Sequence, residues 1–148
     1  MSRIASYLLK RSIWVYHLNT GSCNGCDIET VAVFTPRFDV ERFGIRLVGT
    51  PRHADVILVT GPVTAQTIDK LKRIYEQAPE PKLVIAVGTC ACTCGMFKGS
   101  YSIVGPVNKV IPVDYYIMGC PPRAHTILKG IIEALSLFKK KVMKGGKS

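Results

Sequence analysis

The sequence predicts an α/β fold, a single domain with a mainly parallel sheet flanked by helices. Three observations lead there. Runs of β-branched and apolar residues alternate with stretches of helical periodicity along the whole chain. The most apolar runs, 55–60 and 82–87, are continuous rather than alternating, as in strands covered on both faces. Each run ends in a glycine-containing loop, and three of those loops carry cysteine.

In chain order, residues 1–12 place Ile4, Leu8 and Leu9 near one face and Arg3, Lys10 and Arg11 elsewhere. This predicts a short amphipathic helix, peripheral to the sheet, lying on a partner, a membrane surface or its own domain. The run Ile13-Trp14-Val15-Tyr16-His17-Leu18 is the first strand and stops at Asn19-Thr20-Gly21. A short helix follows over 27–34, broken at Thr35-Pro36. A second strand is expected over 44–48 and a third over 55–60, closed by Gly61-Pro62. Residues 64–77 read as a helix with Ile68, Leu71 and Tyr75 on one side, stopped by Ala78-Pro79-Glu80-Pro81. The next strand, 82–87, delivers Gly88 and Cys90. Residues 95–112 read as loop. A last strand, 113–118, delivers Gly119 and Cys120. Pro121-Pro122 then opens a final helix with Ala124, Ile127, Leu128, Ile131, Leu135 and Phe138 at helical spacing. A basic tail, 139–148, ends the chain.

Such a flavodoxin-like arrangement places ligands outside the carboxyl ends of its strands. Cys23 and Cys26, Cys90, and Cys120 each follow the end of a predicted strand. Loops far apart in sequence therefore converge on one edge, which makes a single shared site the expectation.

Composition narrows its chemistry. There are 20 Lys and Arg against 10 Asp and Glu, a formal charge of +10. The basic residues gather at the two ends, with no aromatic-studded basic stripe between them, so nucleic acid is not the expected partner. Acidic subunits or an anionic membrane face suit such ends better. Nearly half the residues are apolar, with a mean hydropathy of +0.20, which suggests surface reserved for a partner. No segment approaches the roughly 20 apolar residues of a membrane span, and no signal peptide precedes the first strand. The expected location is the cytoplasmic side of the cell membrane, held peripherally. In that compartment six cysteines point to metal ligation or redox work rather than a disulfide framework.

Thiolates in glycine-rich loops can hold zinc or an iron–sulfur cluster. Structural zinc sites usually draw two ligands from each of two short loops. Here one CxxC pair is completed by single thiols from distant loops, which suits a larger cubane. Zinc in an interaction module remains the alternative of a different class.

The segments Cys23-Asn24-Gly25-Cys26-Asp27-Ile28-Glu29, Pro51-Arg52-His53-Ala54-Asp55-Val56, Val59-Thr60-Gly61-Pro62-Val63-Thr64 and Gly119-Cys120-Pro121-Pro122-Arg123 resemble the small iron–sulfur subunit shared by [NiFe]-hydrogenases and complex I. The likeness runs from about Trp14 into the final helix. With CxxC at the first position, the chain looks like the small subunits of membrane-bound, energy-converting hydrogenases; taken whole it is similar to the J-type subunits of archaeal membrane-bound hydrogenase and membrane-bound sulfane sulfur reductase complexes. The resemblance implies one [4Fe–4S] cluster held by Cys23, Cys26, Cys90 and Cys120, the last relay before the catalytic cavity of a large subunit. It also implies other iron–sulfur subunits and membrane subunits as partners. A nickel–iron centre in this family needs two CxxC pairs and so lies outside this chain.

Where the family has glycine-rich sequence after Cys90, this chain has Cys92 and Cys94; Met118 replaces a common proline, and Ala124-His125 a frequent Pro-Glu. The two extra thiols are candidates for a place beside the cluster or facing substrate, or are small packing residues. On that basis sulfane sulfur or polysulfide is the expected acceptor, with protons or a quinone as alternatives. Of the lesser candidates, His17 and His53 read as structural. His125 lies near Cys120 and is a candidate donor to the cluster. Asp27 and Glu29 are acids suited to a helix N-terminus, with proton relay the sharper reading. Arg37, Arg42 and Arg52 read as surface or interface charges.

Overall fold

The computed structural model describes residues 12–145, with side chains through Phe138. Five strands form the main sheet: β1 (Ile13–Asn19), β2 (Ile45–Val48), β3 (Val56–Thr60), β5 (Leu83–Val87) and β7 (Tyr115–Ile117). They run in the order β2-β1-β3-β5-β7, and every neighbouring pair is parallel. The order is that of flavodoxin-like sheets. Two short strands, β4 (Val63–Thr64) and β6 (Ile103–Gly105), pair antiparallel beside it. The helices are α1 (Gly25–Val33), α2 (Ile68–Gln77), α3 (Thr89–Thr93) and α4 (Ala124–Gly145).

Alternation along the central strands separates two cores. Val56 and Leu58 of β3, with Leu83, Ile85 and Val87 of β5, face Val33 of α1 and Ile127, Ile131, Leu135 and Phe138 of α4. Ile57, Val59, Val84 and Ala86 point the other way, onto Leu71 of α2 and Ala91 and Cys92 of α3. All five residues of β3 and of β5 are buried, which is why both runs are apolar without alternation. Each such Val, Ile or Leu contributes about 1.5–3 kcal/mol by leaving water. The edge strand β2 is half-exposed, and Leu47 and Phe43 beside it remain open.

The expected elements are present, with shifted ends. The second helix begins at Ile68 rather than Thr64, because Thr64 is taken by β4 and its amide bonds the Thr67 hydroxyl at 3.1 Å. The last strand is trimmed to three residues. The stretch expected as loop contains β6 and two short 3-10 turns. The amphipathic helix expected over 1–12 falls almost wholly outside the described residues. So does the end of the basic tail, whose first part continues α4.

Candidate metal centre

Three loops leave the carboxyl ends of β1, β5 and β7 on the same edge. The first carries Cys23, exposed, and Cys26, buried in the first turn of α1. Between them Asn24 takes a left-handed conformation (φ 68°), which Asn tolerates better than most residues and which folds the pair back on itself. The second carries Cys90 on α3. The third carries Cys120, exposed, ahead of α4.

The loops meet at Gly88. Its φ of 93° and ψ of 152° belong to a region open essentially to glycine alone. A Cβ there would stand 2.5 Å from the Cys26 Sγ and 3.7 Å from the Gly119 carbonyl oxygen. The second and third loops are stitched by the Gly88 amide on the Ile117 carbonyl (2.8 Å) and by the Thr89 amide and hydroxyl on the Gly119 carbonyl (2.9 and 3.1 Å). At Gly25 a Cβ would lie 3.7 Å from the Cys23 Sγ and 3.8 Å from Pro121, which places the first loop against the third. Glu29 completes the frame, its carboxylate accepting the Ala124 amide at 2.8 Å and tying α1 to the start of α4.

The thiols feel one another. Burial pushes the Cys26 thiol up to about 11, and the charges of Cys90, Cys23, Asp27 and Cys120 add to the rise. Cys90 is raised by burial and then by Cys120 and Cys23. Raised in this way, Cys26 and Cys90 give up their protons readily only where a cation stands by to neutralise the thiolates, which is the electrostatic requirement of a metal site.

Cys92 and Cys94 differ from each other. Cys92 is buried in the second core with its thiol 3.9 Å from the Ala86 carbonyl, and burial pushes it up to about 11. Cys94 is buried at the left-handed C-terminus of α3 (φ 65°), its amide bonding the Cys90 carbonyl at 2.9 Å. Its thiol is raised by burial, against the opposing pull of Lys109 and Lys98. His125 packs edge-on against Phe38, 5.0 Å between ring centres, and His53 likewise against Trp14 at 5.5 Å. His17 pairs with Asp27 at 2.7 Å. Arg37 and Arg42 lie over Phe38 and Phe43. Gly88 and Glu29 position the site, yet sequence reasoning gave the first no role and the second a different one. The signal for Gly88 was its place between a buried strand and a cysteine.

An iron–sulfur group fits these donors. The thiols are free, they surround one edge, and the Gly88 surface is a cradle that a Cβ would fill. Zinc needs every sulfur about 2.3 Å from one centre, whereas a cubane offers each thiolate its own iron.

Comparison with known proteins agrees with this chemistry. Residues 23–134 match the family model described as NADH ubiquinone oxidoreductase, 20 Kd subunit. The probable membrane-bound hydrogenase subunit mbhJ of Pyrococcus furiosus is 53% identical over 132 residues, 89% of this chain and 79% of that one. A chain of the membrane-bound sulfane sulfur reductase, an archaeal respiratory membrane complex, is 35% identical and matches with a TM-score of 0.82 over 95% of this chain and 77% of its own. A chain of an NAD+-reducing [NiFe]-hydrogenase, 21% identical with a TM-score of 0.65 over 85% of this chain and 92% of its own, shares the fold. No helix among the described residues is long and apolar enough to cross a membrane. The chain belongs to the 20 kDa-subunit family of complex I and the hydrogenases, the iron–sulfur subunits that transfer electrons within membrane-bound oxidoreductase complexes.

Proposed function

We propose that the chain holds one [4Fe–4S] cluster through Cys23, Cys26, Cys90 and Cys120 and passes electrons from other iron–sulfur subunits to a site shared with a large subunit. The observation that carries this reading is the meeting of three cysteine loops at Gly88, with Cys26 influenced by all three other thiols. The cluster, when bound, supplies one-electron transfer.

The protein's own residues do the rest. Gly88 leaves room for the Cys26 sulfur, and the Thr89–Gly119 bonds hold the second and third loops in register. Cys23 and Cys120 are exposed, and so are Ile28, Met96 and Met118 near the same loops. An apolar rim of this kind excludes water when a partner covers it, which suits contact with a large subunit. Peripheral attachment on the cytoplasmic side, through partner subunits, completes the reading.

Two acceptors have specific support. Hydrogenase chemistry is supported by the 53% identity to the P. furiosus subunit. Sulfane sulfur reduction is supported by the 35% identical chain of the reductase complex. In the sequence, Cys92 and Cys94 are the residues that favour sulfur. Because Cys92 packs into the core, the hydrogenase reading is the stronger of the two. Washed membranes given a low-potential donor decide between them: hydrogen evolution supports the first, sulfide formation from polysulfide the second. Zinc in place of iron in the purified complex would refute both.

A further inference from the structure

The carboxyl ends of β1 and β3 mark the point where the chain reverses its direction across the sheet. It runs outward from β1 to β2 and returns as β3 on the other side. In open parallel sheets the crevice at this point is the usual seat of a ligand. Here a side chain of the protein itself fills it.

Asp27 follows Cys26 in the first turn of α1, and its side chain is 14% exposed. One carboxylate oxygen accepts from the His17 Nε2 (2.7 Å) and the Thr60 hydroxyl (2.5 Å). The other accepts from the Asn19 amide (2.8 Å) and from the Ser22 hydroxyl. A carboxylate only accepts, so Nε2 carries the imidazole proton. Two of the four donors sit on β1, one ends β3, and one lies immediately before Cys23. A first-turn acid placed only to meet the helix dipole would need none of them.

The same side chains fasten the loop. The Asn19 Oδ1 accepts the amides of Gly21 and Ser22 at 2.8 and 2.9 Å, and the Ser22 Oγ accepts the amide of Asn24 at 3.1 Å. Gly61 allows the close approach this requires, since a Cβ there would lie 2.3 Å from the Ser22 nitrogen. The backbone on both sides of Cys23 is therefore anchored, through Asn19 and Ser22, to one carboxylate.

We propose that Asp27 is a positioning residue for the first thiol pair, fixing the loop of Cys23 and the first turn of Cys26 to the ends of β1 and β3. The proposal rests on reading those thiols as cluster ligands. An acceptor-only group with room for four donors is what the geometry requires. Asn at the same place would turn an N–H₂ toward two of them, and charge-assisted bonds would become ordinary ones.

The test uses the full chain in its complex, with iron release to a chelator and the EPR spectrum of the reduced protein as readouts. Asp27→Asn, Ser22→Ala and Thr60→Val are expected to lose iron to the chelator faster than the unsubstituted protein, their affinity for it lowered roughly 10–100-fold, the usual cost of losing a group that orients metal ligands. They are also expected to alter the EPR line shape. Thr60→Ser, which keeps the hydroxyl, should behave as unsubstituted. Glu133→Ala, which removes the acceptor of the 2.7 Å bond from the Tyr115 hydroxyl at the far edge of the sheet, should leave both readouts unmoved. If Asp27→Asn fails to accumulate, Ser22→Ala in the loop carries the test alone. Unaltered iron release and line shape in Asp27→Asn and Ser22→Ala overturn the proposal, even if melting temperature falls, because a merely structural role would do that. Absence of iron from the unsubstituted complex would instead defeat the cluster reading, and this inference with it.

Discussion

Replacing Gly88 by alanine should separate the fold from the metal site. The backbone there, φ 93° and ψ 152°, costs a non-glycine residue about 1–3 kcal/mol. That penalty alone leaves most domains of this size folded. The second effect is local. The added Cβ would stand 2.5 Å from the Cys26 Sγ, so the sulfur must retreat by about 1 Å to reach ordinary contact, several times the ±0.2 Å that metal–ligand distances tolerate. Cys26 is 7% exposed and has little space to yield. Two controls divide the effects. Gly99 also has a positive φ (89°) but nothing within 4 Å of a built Cβ, and Gly49 has open space without the positive φ. Iron and acid-labile sulfide per chain are measured beside the melting temperature. Gly88→Ala should lose the cluster, Gly99→Ala only stability, and Gly49→Ala neither. A full iron complement in Gly88→Ala would refute the reasoning that the three loops share one site at this glycine.

Two further outcomes follow from the geometry. Glu29→Ala removes the acceptor of the Ala124 amide and should cost about 1.5–3 kcal/mol, the range for a hydrogen bond to a charged group, with faster amide exchange at the start of α4 as the readout. In the metal-free chain the Cys92 thiol holds its proton to about 11 against 9.0 for an ordinary thiol, so the unfolded state ionises first. The stability due to this group is complete below pH 9 and lost as pH rises toward 11. Chemical denaturation near pH 10.5 should find about 2 kcal/mol less stability from this source than near pH 8, and Cys92→Ser should remove that loss.

What the sequence disclosed depended on whether the cause was local. The strands β3 and β5 were legible because burial on both faces makes their residues uniformly apolar. That the three cysteine loops leave one edge was legible because a parallel sheet sends all its carboxyl ends the same way. The helix α3 was not. Thr89–Thr93 has no apolar period, and five residues between Gly88 and Gly95 form a helix only because the second core takes Ala91 and Cys92. The pair β4 and β6 was too short to signal itself, and Thr64, which reads as helix, was drawn into it. Glu29 was visible as a first-turn acid, yet its partner Ala124 stands 95 residues away. The hub at Asp27 draws on residues 17, 19, 22 and 60, and only the sheet brings them together.

The central claim is that four thiols from three loops hold one cubane, and Cys120→Ala tests it most directly. Cys120 is exposed, so its loss should leave the packing of both cores intact. Iron and sulfide analysis with EPR of the reduced complex should show one [4Fe–4S] cluster per unsubstituted chain, and loss of that cluster or its conversion to a smaller one in Cys120→Ala. An unchanged iron and sulfide content and an unchanged spectrum in Cys120→Ala would contradict it.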